Sequence, residues 1–404
     1  MLAKLCRYII IPLCACVACL TIISPAAHAD GGAPNRAYVA GTSKGISVID
    51  ISQQQIVSNL PGSGDPHAIL LSLDGGFLYV TQPQKNSFAI LSARTGSTVC
   101  TAQVPGQPSL LALDSNSNTI YVAGPGASTI SAIDTVNCNV KRTLQADGLV
   151  HGLAVALTGT ANTSNNSDQV WASTPGGLDV FNETNGQKMS SIPVPGGPQY
   201  LSIPPGTTIY VTTQQGTIVA VSLTQHQVTS PLVSGGKYGP MDFDEQTGEI
   251  FVPDQAHNQL VVLLPVNVGF TPPHEPSRTI KLASAPNSIA ITSDGQLGFT
   301  AMQNGSVTML DIPGRQQITT FHVGGDPQFI ITGLNPPVLA STPQQAILLG
   351  TLANIAAYIL VIALLVVPVV FFVRFSRKKQ KSESASEPEP TSEQAEDAPV
   401  KEKS

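Results

Sequence analysis

An all-β ring of seven four-stranded blades, a β-propeller, is the fold class this sequence predicts. Three observations carry it. A unit of about forty residues recurs along the chain, each unit holds four short apolar runs of period two, and the runs missing at one end of the array are present at the other. Composition agrees: 404 residues include 35 Gly and 32 Pro, 42% are hydrophobic and 11% are charged. Typical soluble domains carry about 25% charged residues. Frequent turn formers with few charges argue against a helical bundle, and the apolar fraction excludes a fully disordered chain. A net charge of −6 gives no support to nucleic-acid binding, which wants a basic face.

The units begin at Pro66, Pro108, Leu149, Pro198, Pro240 and Pro286, and a last start falls at Pro327, giving spacings of 42, 41, 49, 42, 46 and 41 residues. In the first unit the apolar runs are 68–73, 77–81, 87–91 and 98–104, separated by Gly, Asp, Asn or Pro. Four strands per repeat of this length is a propeller blade; solenoid repeats are shorter. Before Pro66 the chain holds only a second, third and fourth run (37–40, 46–51, 55–60), and after Pro327 only a first (328–331). Three plus one makes a seventh blade shared by the two ends, so the expected ring is six complete blades and one split blade, with no open sheet edge. The unit from Leu149 departs most, with an Asn-rich insertion at 162–168, and the unit from Pro240 carries a Pro-rich insertion at 267–278.

The second run repeats an aromatic-Val pair: Tyr38-Val39, Tyr79-Val80, Tyr121-Val122, Tyr210-Val211 and Phe251-Val252, with Trp171-Ala172 and Phe299-Thr300 as variants. The third run repeats as Ser47-Val48-Ile49-Asp50, Ser131-Ala132-Ile133-Asp134 and Thr308-Met309-Leu310-Asp311. These motifs resemble the YVTN family of β-propeller repeats over residues 37–333. The resemblance implies an extracytoplasmic surface protein with an interaction role. It also brings in enzymes, because related seven-bladed propellers include lactonases and redox proteins.

The ends of the chain predict export and anchoring. Residues 1–29 read as a signal peptide: Lys4 and Arg7 precede an apolar stretch at 8–23, and Ala27-His28-Ala29 forms a small-x-small cleavage site ahead of Asp30. A lipobox around Cys16 is the competing reading, disfavoured because the apolar stretch continues past it. The propeller is assigned to 30–334 and a Pro-rich stalk to 335–345. Residues 346–373 carry no charge and exceed the roughly 20 residues that cross a bilayer. Arg374, Arg377, Lys378, Lys379 and Lys381 follow, which by the positive-inside rule places 374–404 in the cytoplasm as a disordered tail and the propeller outside. The expected location is therefore the cell membrane, single-pass, with the lipid bilayer as partner of the helix.

Four of the six cysteines fall in the signal segment, leaving Cys100 and Cys138. An oxidising compartment favours a disulfide between them, while blades that splay apart toward the rim oppose it, so pairing stays open.

Catalytic signatures are lacking: the G-x-S-x-G string at Gly41–Gly45 joins two strand runs and so is not a strand-to-helix nucleophile elbow, there is no H-E-x-x-H, P-loop or Cys/His cluster, and neither a cofactor nor an enzymatic role is expected. One constellation remains. The residue after each leading position should stand at the mouth of the central channel, giving His67, Ser109, His151, Gln199, Met241, Asn287 and Gln328 as candidate ligand contacts. Six of the seven are polar and none is charged. The plain reading is that they solvate a water-filled mouth. A metal held by His67 and His151 is disfavoured, because they lie two blades apart with no carboxylate in the ring. Asp50, Asp134 and Asp311 read as turn residues that cap backbone N–H groups. His226, His257, His274 and His322 read as surface residues. The function expected is a non-enzymatic binding scaffold for a protein or glycan at the cell surface. The alternatives are a signalling receptor ectodomain, or a lactonase-like or redox enzyme with its site at the channel mouth.

Overall fold

The computed structural model describes residues 35–60, 64–156, 168–269 and 273–334, together with Arg374. The expected signal peptide, stalk, membrane helix and tail lie outside the described residues, Arg374 excepted. Among the described residues no helix is long and apolar enough to cross a membrane.

The described residues form seven four-stranded antiparallel sheets. The first contains β1 (Arg36–Thr42), β2 (Gly45–Asp50) and β3 (Gln55–Leu60). Then follow β4 (Ile69–Leu71), β5 (Phe77–Gln82), β6 (Ser87–Ser92) and β7 (Thr98–Gln103). The third blade is β8 (Leu110–Asp114), β9 (Thr119–Ala123), β10 (Thr129–Asp134) and β11 (Val140–Gln145). The fourth is β12 (Gly152–Ala156), β13 (Gln169–Thr174), β14 (Gly177–Asn182) and β15 (Lys188–Pro193). The fifth is β16 (Pro198–Ser202), β17 (Thr208–Thr213), β18 (Thr217–Ser222) and β19 (Val233–Ser234). The sixth is β20 (Asp242–Phe243), β21 (Ile250–Asp254), β22 (Gln259–Leu263) and β23 (Arg278–Lys281). The seventh is β24 (Pro286–Ile291), β25 (Leu297–Met302), β26 (Ser306–Asp311) and β27 (Gln316–His322). The last strand, β28 (Phe329–Gly333), is the innermost strand of the first sheet, whose order is β28-β1-β2-β3. The protein is a seven-bladed β-propeller closed by its own two ends. Observed strands sit within two residues of the predicted runs, and β4 is the shortest against its prediction because Pro66 and the turn at Ser72–Phe77 consume its ends.

The aromatic-Val pairs explain the packing. Tyr38, Tyr121, Trp171, Tyr210, Phe251 and Phe299 are all buried in β1, β9, β13, β17, β21 and β25. Each fills the space between blades, and seven apolar clusters follow one another round the ring. Outer strands such as β7 and β11 bury little besides one inward residue, which suits a rim facing water. The third-strand aspartates cap turns as expected. The Asp50 carboxylate accepts from the Gln53 N–H (2.8 Å), Asp134 from Val136 and Asn137 (2.9 and 3.1 Å) and Asp311 from Gly314 (2.8 Å).

Two glycines mark where backbones meet. A Cβ on Gly152 would stand 1.9 Å from the Gln199 carbonyl oxygen, so β12 and β16 can approach only because that position is bare. Gly41 has φ +80°, and a Cβ there would lie 2.3 Å from the Asp326 oxygen. The Asp326 N–H donates back to the Gly41 carbonyl at 2.9 Å, which seats the incoming C-terminal strand beside the N-terminal blade.

Cys100, on β7, and Cys138, in the turn between β10 and β11, form a disulfide with Cα atoms 5.9 Å apart. The splay between blades is overcome locally because Cys138 takes a left-handed conformation (φ 60°) and packs inward against the Tyr79–Phe88 cluster.

Candidate functional site

Every innermost strand starts at one face of the ring and runs to the other, so the residues at its start mark one mouth of the channel. The structure brings five of the seven predicted contacts, His67, Ser109, Met241, Asn287 and Gln328, around a cavity of about 180 Å³. His151 and Gln199 do not line it; their neighbours Gly152 and Tyr200 do. The Gln199 carbonyl is engaged by the Ser173 hydroxyl, and the bare Gly152 lets that backbone come close.

The mouth is less uniform than a ring of seven equivalent side chains. Asn287 is buried, and its amide is fully committed. Its oxygen accepts from Gln255 Nε2 (3.4 Å) and Gln303 Nε2 (3.1 Å), while its nitrogen donates to Asp326 Oδ1 (3.2 Å) and the Pro327 carbonyl (2.8 Å). Asn287 is therefore a brace that ties β24 to the loop before β28 and holds the Asp326 carboxylate in place. Gln328 Nε2 donates to the other Asp326 oxygen.

One statement from the sequence needs correction: carboxylates do share this mouth. Asp65 and Asp326, the residues just before Pro66 and Pro327, both act on His67. They belong to units that become neighbours only when the ring closes, and together with His67 and Gln328 they border an outer groove of about 450 Å³. Burial holds the His67 imidazole below its usual pKa, partly offset by Asp65, the Ser109 backbone and Asp326. Its Nδ1 is buried without a hydrogen-bond partner. Burial also lowers His151 and raises the Tyr200 phenol. Among the described residues no group of three or more His, Cys, Asp or Glu is arranged to hold a metal ion.

Behind the polar rim the inner wall carries apolar side chains, a feature the reading of the mouth residues did not address. Leu70, Pro240, Met241 and Phe329 border both the upper cavity and a second, larger one of about 590 Å³ that opens at the opposite face. The channel thus has two chambers that meet at these four side chains. The signal was present in the innermost runs, where Leu70, Leu111, Leu201, Met241 and Phe329 stand at positions that a wet channel would fill with polar groups.

No family model matches the chain, and no curated protein matches it. Solved structures do, through shape. A dihydro-heme d1 dehydrogenase, NirN, in complex with DHE aligns with TM-score 0.53 at 13% identity, covering 73% of this chain and 74% of that one. The β-propeller domain of Cps50 (Swd1) from Myceliophteria thermophila aligns with TM-score 0.56 at 12% identity, over 68% and 90%. Apo AztD from Citrobacter koseri aligns with TM-score 0.54 at 12% identity, over 75% of this chain and all of that one. At such identities the likeness concerns fold alone. The chain shares with them the β-propeller architecture.

Proposed function

We propose that this protein is a membrane-anchored, extracytoplasmic propeller of the YVTN-repeat kind that acts as a non-enzymatic binding scaffold for a protein or glycan at the cell surface. The observation that carries the reading is the asymmetric mouth. His67, Gln328, Asp65 and Asp326 gather on one arc, fixed by the Asn287 brace, beside an outer groove. Hydrogen-bonding groups held by rigid strand ends lose little entropy when a partner docks. Export is supported by the leader-like residues 1–29 and by the Cys100–Cys138 disulfide, since such bonds persist in oxidising compartments. Anchoring is supported by the uncharged run 346–373 and the basic cluster after it.

The test uses the full chain with His67→Ala and Gln328→Ala combined, against a glycan array and against native envelopes. Binding by the unaltered chain that the double variant loses, at equal melting temperature, supports the reading. Equal binding by both moves the contact surface away from the mouth and overturns it.

A further inference from the structure

The lower chamber is a separate site. Its walls come from β20, β24, β28 and β4, and they are largely aliphatic and aromatic: Leu70, Leu71, Met241, Ile291, Phe329 and Ile331. At about 590 Å³ it has the size and apolar character of a small-molecule pocket. Among the described residues the charged groups that line it are Asp242 and Glu245, with neither Lys nor Arg.

Asp242 is unusual for its place. It is the second residue after the leading Pro of its unit, where the other Pro-led units carry Ala68, Leu110, Tyr200, Ser288 and Phe329, and Gly152 follows the mouth residue His151 in the unit from Leu149. No other unit puts a charge there. Its Oδ2 accepts from the Ile291 N–H of the next blade at 2.7 Å, so the carboxyl is held between two inner strands in the chamber wall. Burial raises its pKa to about 6, opposed by the Ile291 and Phe243 backbone N–H groups and reinforced by Glu245. The other nearby charges are engaged in turns or pairs of their own. Asp244 accepts from Gln246 and Thr247, Asp74 from Ser72 and Gly76, and Asp294 from Thr292 and Gln296. Glu249 pairs with Arg278, which lies over the Phe251 ring, and Asp254 hydrogen-bonds His257. β24, β28 and β4 bring no titratable side chain. At neutral pH the chamber therefore holds a carboxylate with two backbone donors and, among the described residues, no counter-cation, a costly arrangement that a bound cation relieves.

We propose that the lower chamber binds a small amphipathic organic cation, its apolar body against Leu71, Ile291 and Phe329 and its ammonium group on Asp242. The inference is independent of the partner proposed for the opposite mouth. An ammonium is preferred to a metal ion because the chamber offers one or two carboxylates within an apolar wall, short of a coordination shell.

The test is calorimetric titration of the full chain with benzylammonium, with benzyl alcohol as the uncharged match. Saturable binding of benzylammonium at pH 7.5 is expected, at least tenfold tighter than benzyl alcohol. Affinity should fall about tenfold at pH 5, as Asp242 takes up its proton. Asp242→Asn should erase the preference for the cation, and Glu245→Gln should change affinity less than threefold. The pH arm reads the same carboxyl in the unaltered chain, whatever the variants do to folding. Absence of saturable benzylammonium binding, equal affinity for the alcohol, or no change at pH 5 would overturn the proposal.

Discussion

Tyr38 of β1 stands directly opposite Ile331 of β28, although 293 residues separate them in sequence. Their pairing, with Arg36 opposite Gly333 and Ala40 opposite Phe329, is the seam that closes the ring. Ile330 packs from this seam into the cluster of Phe299, Val307 and Phe321 at 1% exposure. Ile330→Ala should destabilise the propeller by about 2–4 kcal/mol, because it empties a site that cannot collapse. Chemical denaturation checks this. A variant with unchanged midpoint would show that the seam carries no stability.

A second expectation concerns the bare position on β12. Gly152→Ala would drive a methyl group into the Gln199 carbonyl, so the fourth and fifth blades must separate or shift. A loss of about 1–3 kcal/mol follows. Gly176→Ala, in a turn where an added Cβ meets nothing within 4 Å, should cost far less and serves as the control.

The disulfide links residues 38 apart and should contribute roughly 4 kcal/mol by the chain-entropy account. A non-reduced digest should yield one peptide pair joined through Cys100 and Cys138. Recovery of both as free thiols would exclude the bond.

Acid and neutral pH act on different carboxyls. Burial pushes Asp50 up, but hydrogen bonds from Gln53 and Ser52 and the Arg36 pair outweigh it and hold its pKa below the usual value. The stability it provides is present above about pH 4 and is lost as the pH falls. Asp242 has the opposite sign: its folded pKa is raised, from 3.8 to about 6, so stability is lost as pH rises through that window. His67 and His151, both lowered by burial, slope the other way, gaining stability as pH rises toward the usual histidine pKa of about 6.5. The informative quantity is therefore the difference between the unaltered chain and Asp242→Asn. The variant should gain about 1–3 kcal/mol relative to it on going from pH 4 to pH 7, the range allowing for water in the chamber. A constant difference across that range would show that Asp242 does not titrate there.

Much of this molecule was legible in its repeats. Phase alone located Ser109, Met241 and Gln328 at a common mouth, and the count of three runs plus one foretold the Tyr38–Ile331 seam. Asp326 was missed because it precedes the leading proline, ahead of the mouth position, and meets His67 only through closure, which unites residues from distant parts of the chain. The commitment of Asn287 was hidden for a similar reason, since its partners Gln255, Gln303 and Asp326 come from three different units. The apolar wall behind the mouth is written at a different position of the repeat from the mouth residues. One residue further along each unit stand Leu110, Tyr200 and Phe329, which describe the interior better.

The mouth as contact surface is tested most directly by site-specific photocrosslinking in native envelopes. Benzoylphenylalanine would replace Gln328 at the mouth, or Ile318, an exposed residue of β27 on the outer rim. A discrete adduct from position 328, abolished by His67→Ala, with none from position 318, is the predicted result. Adducts from 318 and none from 328 would contradict the account.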